Sequence, residues 1–210
     1  MDPMQIAMIV TLIISVVIHE MAHGYAANAL GDPTARLAGR LSPNPLVHLD
    51  PLMSVIVPGL LIMSGSPILF GAAKPVPYNP YNFTSKWSEA LVAAAGPASN
   101  VAIAVIFAIL IRLADVLSLS ASFVQLAFMV IVLNIFLAFF NLIPIPPLDG
   151  SKILPRLLPQ GLRMQYEKVR TVLEQNAMIG FVLIIFIFFY FLSAPLYNLT
   201  LTIAQFLIGG

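Results

Sequence analysis

The sequence predicts an all-α polytopic membrane protein with four to six membrane segments and a re-entrant or extended loop region between its first two motif-bearing helices. Three observations predict it. Hydrophobic residues make up 60% of the 210-residue chain and charged residues only 9%, at a mean hydropathy of +0.96, the balance of an integral membrane protein. Four apolar stretches are near or above the roughly 20 residues a helix needs to cross a bilayer. Between the first two of these lie segments broken by proline and glycine, which cannot continue a helix. A net charge of +1 offers no nucleic-acid footprint, so the bilayer and not a nucleic acid is the expected surroundings. The chain has no cysteine, so disulfides and thiolate metal sites are excluded and any metal must be held by His, Asp or Glu.

Segment A runs from about Met4 to Leu30. Its N-terminal flank, Met1-Asp2-Pro3-Met4, lacks the basic region of a cleavable signal peptide, and cleavage would remove the histidines described below. Segment B, Pro51 to Phe70, is broken by Pro58-Gly59 and Ser64-Gly65-Ser66-Pro67 and either crosses or turns back. The distribution of basic residues arbitrates. If B turns back, Arg36, Arg40, Lys74 and Lys86 share a face with Lys152, Arg156, Arg163, Lys168 and Arg170, leaving only Arg112 opposite. If B crosses, the split is three against seven. The first arrangement is favoured, and it puts the N-terminus outside and the end of segment D in the cytoplasm.

After B, the run Lys74-Pro75-Val76-Pro77-Tyr78-Asn79-Pro80 is expected to be extended, because its prolines and the residues before them avoid the helical region. Segments C (about Ala90 to Ile111) and D (about Phe123 to Ile143) read as spans. Between Gln160 and Gln175, Leu162, Tyr166, Val169 and Leu173 recur at helical spacing among charges, the pattern of a helix lying in the interface. Segment E, about Ala177 to Ile208, is interrupted at Ser193-Ala194-Pro195 and reads as one kinked span or a helical hairpin.

Within segment A stands His19-Glu20-Met21-Ala22-His23, although no charge occurs from Gln5 to Ile18 or from Met21 to Leu30. Burying such groups in lipid costs several kcal/mol unless something pairs with them. On a helix His19 and His23 leave one face a turn apart. This is the HExxH arrangement, two nitrogen ligands for zinc with a Glu between them placed to act as a base on water. A zinc hydrolase site within a membrane is the leading hypothesis. A catalytic zinc takes a third protein ligand, for which His48, Asp50 and Asp149 are the candidates. Asp149 is the strongest, since segment D ends in a proline-broken turn through Asn141 to Gly150, and irregular backbone at membrane depth lines cavities or is buried.

Together these residues resemble the site-2 protease family of intramembrane zinc metalloproteases, in its compact bacterial and archaeal branch without PDZ or CBS domains. The resemblance rests on His19-Glu20-Met21-Ala22-His23, on Gly96-Pro97-Ala98-Ser99-Asn100, and on Asn141 to Pro144 with Pro146 to Gly150. The Lys74 to Pro80 run is similar to the loop before the family's second motif. Residues about 5 to 155 carry the likeness. It implies that His19, His23 and Asp149 hold one Zn2+ per chain, that Glu20 is the general base, and that Asn141 is a candidate for stabilising the oxyanion. Gly96 would let C pack closely on A.

The resemblance further implies a single membrane-embedded peptidase domain over 1–210. Its catalytic core covers about 5–155, and an interfacial helix and membrane segment or segments follow at about 160–208. The substrate is a transmembrane protein or peptide, and the expected location is the inner (plasma) membrane with the active site toward the cytoplasm. Plainer roles compete residue by residue. Asp149 could merely cap the following segment, Asn141 could satisfy backbone groups freed by Pro144, and Asn100 could hydrogen-bond between helices or serve the site. His48 reads as a surface or turn histidine. The alternative for the whole chain is a zinc-binding transporter or metal-handling protein, which leaves the Glu between the histidines unexplained.

Overall fold

Backbone N–H and C=O groups in lipid find no water, so long apolar runs satisfy them internally as helices. The computed structural model describes residues 3–48 and 74–210, and the Pro51–Phe70 segment with its choice between crossing and turning back lies outside them. Among the described residues there is no strand. Four helical stretches among them are long and apolar enough to cross a membrane. They are α1 (Pro3–Ala29), α2 (Ser88–Arg112), α3 (Ala121–Asn141) and a C-terminal stretch over Met178–Ile208. The expected all-helical membrane fold is therefore present, with four candidate spans among the described residues.

Local chemistry sets several boundaries. Ser120 caps α3, its hydroxyl accepting the Phe123 N–H at 3.2 Å. Pro97 in α2 lacks the N–H that would bond to the Ala93 carbonyl, a weak point in the helical ladder beside the histidines. The C-terminal stretch resolves the choice left open for segment E. It follows one helical path, α6 (Ala177–Ile187) and α7 (Ser193–Ile208), joined by a π turn at Phe188–Leu192. Pro195 has no N–H to offer the carbonyl four residues before it, and widening the preceding turn accommodates that loss without a hairpin.

The core lies where α2, α3 and α7 meet, around Ala104, Ala108, Ile131, Ile135 and Ala204. Three of these five are alanines, and small side chains let helix backbones approach where lipid supplies no hydrophobic drive. At one end of the bundle Arg112 donates to the carbonyls of Leu207 and Phe206 and ties α2 to the end of α7. At the other end the loops gather. There Lys74–Asn79 runs extended, as the prolines predict, and α4 (Gly150–Leu157) and α5 (Gln160–Gln175) follow the end of α3.

The α5 helix is the amphipathic one the sequence predicts, with no buried residue of its own. It is nevertheless pinned. The Arg170 guanidinium reaches Glu89 at the start of α2 at 2.7 Å and Glu174 at 2.8 Å, and Arg156 lies 3.7 Å from Glu89. The Tyr166 hydroxyl donates to the Pro144 carbonyl at 2.9 Å, and so clamps the turn between α3 and α4.

Candidate metal centre

The i, i+4 spacing on α1 turns both imidazoles toward α2, and the turn before α4 brings a carboxylate up against them. His19 Nε2 lies 3.1 Å from His23 Nε2, and Asp149 Oδ2 lies 3.1 Å from the first nitrogen and 3.3 Å from the second. His19 and Asp149 are buried, at 6% and 8% exposure. Asp149 occupies the N-cap position of α4 yet caps nothing with its side chain, so its carboxylate is spent on the histidines.

The outer nitrogens are committed elsewhere. His19 Nδ1 lies 2.6 Å from Asn100 Oδ1, and His23 Nδ1 lies 2.7 Å from the Val92 carbonyl oxygen. Both partners are acceptors, so each Nδ1 carries the proton and each Nε2 presents a lone pair. Two lone pairs and an ionised carboxylate thus face one another with no donor among them. That is a repulsive arrangement unless a cation sits between them. The spacing fits as well, because ligands about 2.0–2.1 Å from a tetrahedral zinc stand about 3.3 Å apart. Gly96 completes the cradle: a Cβ there would lie 2.5 Å from both Nε2 atoms and fill the space the three ligand atoms share. The close packing of α2 on α1 expected of Gly96 is therefore real, and it falls at the site itself.

Glu20 is the third member of the cluster, its carboxylate within 4.8 Å of the histidine nitrogens. The Val76 N–H donates to Glu20 Oε2 at 2.9 Å, so the extended strap lies directly on this carboxylate. The strap is held at other points too. Arg40 donates to the Lys74 carbonyl at 2.6 Å, and the buried Asp32 accepts from Asn79 N at 2.6 Å and Asn82 Nδ2 at 2.7 Å.

Four of the five residues singled out by sequence therefore meet: His19, Glu20, His23 and Asp149. Asn141 is placed differently, at the end of α3, where its amide donates to the Leu137 carbonyl at 3.0 Å within its own helix. His48 closes the 3-10 turn Pro45–His48, as the turn reading expects, but it is buried at 2% exposure and not on the surface, and its Nε2 is bonded to the Ser42 carbonyl. Asp50 lies outside the described residues. Asn134, which accepts from Asn100, and Ser15, which accepts from Asn134, are both buried and had no reading from sequence. The available signal was generic: a polar residue in a membrane helix is a functional candidate by default.

Comparison with known proteins agrees with this geometry. The model of peptidase family M50 matches residues 7–119 and 110–188. The Bacillus subtilis protein named "Putative zinc metalloprotease YwhC" is 37% identical over 188 residues, covering 86% of this chain and 79% of that protein. "Putative zinc metalloprotease Rip2" of Mycolicibacterium smegmatis is 31% identical over 152 residues, 72% of this chain but 57% of that protein. A Methanocaldococcus jannaschii protein named "Putative zinc metalloprotease MJ0611" is 35% identical over 99 residues, 46% of this chain and 50% of its own. No solved structure matches. The chain belongs to peptidase family M50, the site-2 proteases.

Proposed function

We propose that this M50 chain is an intramembrane zinc metalloendopeptidase of the site-2 protease type, which hydrolyses peptide bonds in transmembrane segments of membrane proteins. The observation that carries the reading is the triangle of two Nε2 lone pairs and Asp149 Oδ2 at 3.1–3.3 Å, with both Nδ1 atoms bonded away from it. His19, His23 and Asp149 would hold one zinc. When bound, zinc supplies the Lewis acidity that makes water a nucleophile near neutral pH.

The chain's own residues do the rest. Glu20 accepts the proton that the attacking water loses, and delivers it to the departing amine nitrogen. The Val76 N–H holds Oε2, leaving Oε1 to face the reacting atoms. Asn141 is proposed as an oxyanion donor, which requires its amide to leave the Leu137 carbonyl when substrate is present. We place the protein in the inner membrane with the site toward the cytoplasm, because the loops at the site end carry nine of the ten Lys and Arg residues.

The decisive experiment is Glu20→Gln in purified protein offered a cleavable membrane substrate. The variant should keep about one zinc per chain, as three ligands for a tetrahedral site remain. It should also lose cleavage, since the amide cannot accept the proton. Turnover comparable to the native enzyme would remove Glu20 as the base.

A further inference from the structure

The two histidines are oriented by different means. His23 Nδ1–H is held by a backbone carbonyl, Val92 O, which no side-chain substitution can delete. His19 has no such partner: its Nδ1 faces Asn100 Oδ1 at 2.6 Å, and a side-chain amide can present either its oxygen or its nitrogen. Something must choose. Asn100 Nδ2 lies 2.9 Å from Asn134 Oδ1, and Asn134 Nδ2 lies 2.9 Å from the Val130 carbonyl oxygen and 3.0 Å from Ser15 Oγ.

The chain of assignments runs from the carbonyl inward. Val130 O can only accept, so the Asn134 atom facing it is the amide nitrogen. Asn134 Oδ1 therefore points at Asn100, where the atom opposite must be a donor, Nδ2. That leaves Asn100 Oδ1 toward His19, whose Nδ1 must then carry the hydrogen and whose Nε2 is left as the lone pair. Asn100 and Asn134 are both 0% exposed, so no water competes at either amide.

We propose that Asn134 is a positioning residue for the metal centre, which through Asn100 fixes His19 as the Nδ1–H tautomer and aims its Nε2 at the site. Ser15 has another part. It receives the spare Asn134 N–H and joins α3 to α1, but Val130 O alone suffices to orient the amide. The proposal rests on the reading of His19 as a metal ligand and goes beyond it, because the hydrogen bonds of Asn134 run to Asn100, Ser15 and Val130 and reach His19 only through Asn100.

The test compares Asn134→Leu with Ser15→Ala. Zinc affinity is measured by competition with a chelator, and the His19 tautomer by 15N spectroscopy. Three histidines make assignment by substitution practical. Asn134→Leu should weaken zinc binding about tenfold, as loss of a partner behind a metal ligand typically does, whereas Ser15→Ala should stay within about twofold of native. In zinc-free Asn134→Leu at alkaline pH, His19 should show both neutral tautomers instead of Nδ1–H alone.

Equal losses in the two variants would assign Asn134 to helix packing and overturn the proposal, as would native zinc affinity in Asn134→Leu. Should Asn134→Leu not fold, the native protein still decides: a zinc-free His19 protonated at Nε2 at alkaline pH excludes the relay. His19→Ala separates the two readings. If that variant binds zinc as well as native protein, the ligand assignment fails, whatever the tautomer shows.

Discussion

At the scale of single residues, the centre is defined by what its atoms cannot do. With both Nδ1 hydrogens bonded to carbonyl oxygens, nothing inside the triangle can donate. Removing a corner should therefore remove metal. Asp149→Ala should lower zinc occupancy markedly, while His48→Ala, which loses one buried hydrogen bond to Ser42 O, should cost about 1 kcal/mol of stability and leave zinc in place. Elemental analysis of the purified variants distinguishes them, and metal lost from His48→Ala but kept by Asp149→Ala would mean a different ligand set. Gly96→Ala tests the cradle from the other side: its methyl must displace both imidazoles, so zinc affinity should fall by about tenfold or more. The HExxH pair was legible because a helix converts i, i+4 spacing into geometry, and Asp149 because its turn cannot be helical. Asn100 was legible as a residue of the second motif, bonding between helices or serving the site, and it does both, but its pairing with Asn134 was not legible. Asn100 and Asn134 are 34 positions apart on different helices, and no local periodicity records that their amides meet.

Among the elements, the Lys74–Asn79 strap most directly controls the site, since its Val76 amide holds Glu20. Its extended form was readable from the prolines, but its anchors were not, because Asp32 and Arg40 look like ordinary loop charges. Asp32 is fully buried. Burial works against its carboxylate, yet hydrogen bonds from Thr34, Asn82 and Asn79 outweigh that and hold its pKa below the ordinary value. A depressed folded pKa means stability that is complete above the unfolded pKa, about 3.9 for Asp, and lost as pH falls through the folded one. Asp32→Asn should therefore be less stable than native protein at pH 7, by about 1.5–3 kcal/mol for hydrogen bonds to a charged group. The gap should shrink only below about pH 4, where Asp32 of the unfolded chain takes up a proton that the native carboxylate still refuses. Thermal unfolding followed through the single tryptophan, Trp87, reads both. A gap that persists unchanged into acid would show that the strap is anchored by something other than the Asp32 charge.

The whole molecule has two unlike ends. One gathers the loops, the strap, α4 and α5 around the His19–Asp149 contact, and the other holds Arg112 against the end of α7. His48 and Lys74, which flank the undescribed stretch, are joined at the first end by a 2.8 Å hydrogen bond from Lys74 N to His48 O. The charge count from sequence anticipated this polarity, since flanking charges are bound to the ends of spans however the helices pack. In a cysteine-free chain, single cysteines at Leu37, Ser85 and Gln160 should all react from the cytoplasmic side and one at Ser118 only from outside. Labelling of Leu37 and Ser85 from opposite sides would contradict the fold itself, and wholesale reversal would contradict only the orientation. Substrate access follows from the same polarity. A transmembrane helix hides its carbonyls in i to i+4 hydrogen bonds, so under the proposed function it must unwind before Glu20 and a bound metal could act on one. The strap already commits the Val76 N–H and buries the Val76 side chain to 7% exposure, so an arriving segment must come partly unwound. Each Gly placed in the substrate helix near the site end removes about 1 kcal/mol of helix stability, which permits up to about a fivefold faster cleavage per Gly where unwinding precedes the slow step. Cleavage rates indifferent to such softening, at unchanged zinc content, would show that unwinding is not what limits the enzyme.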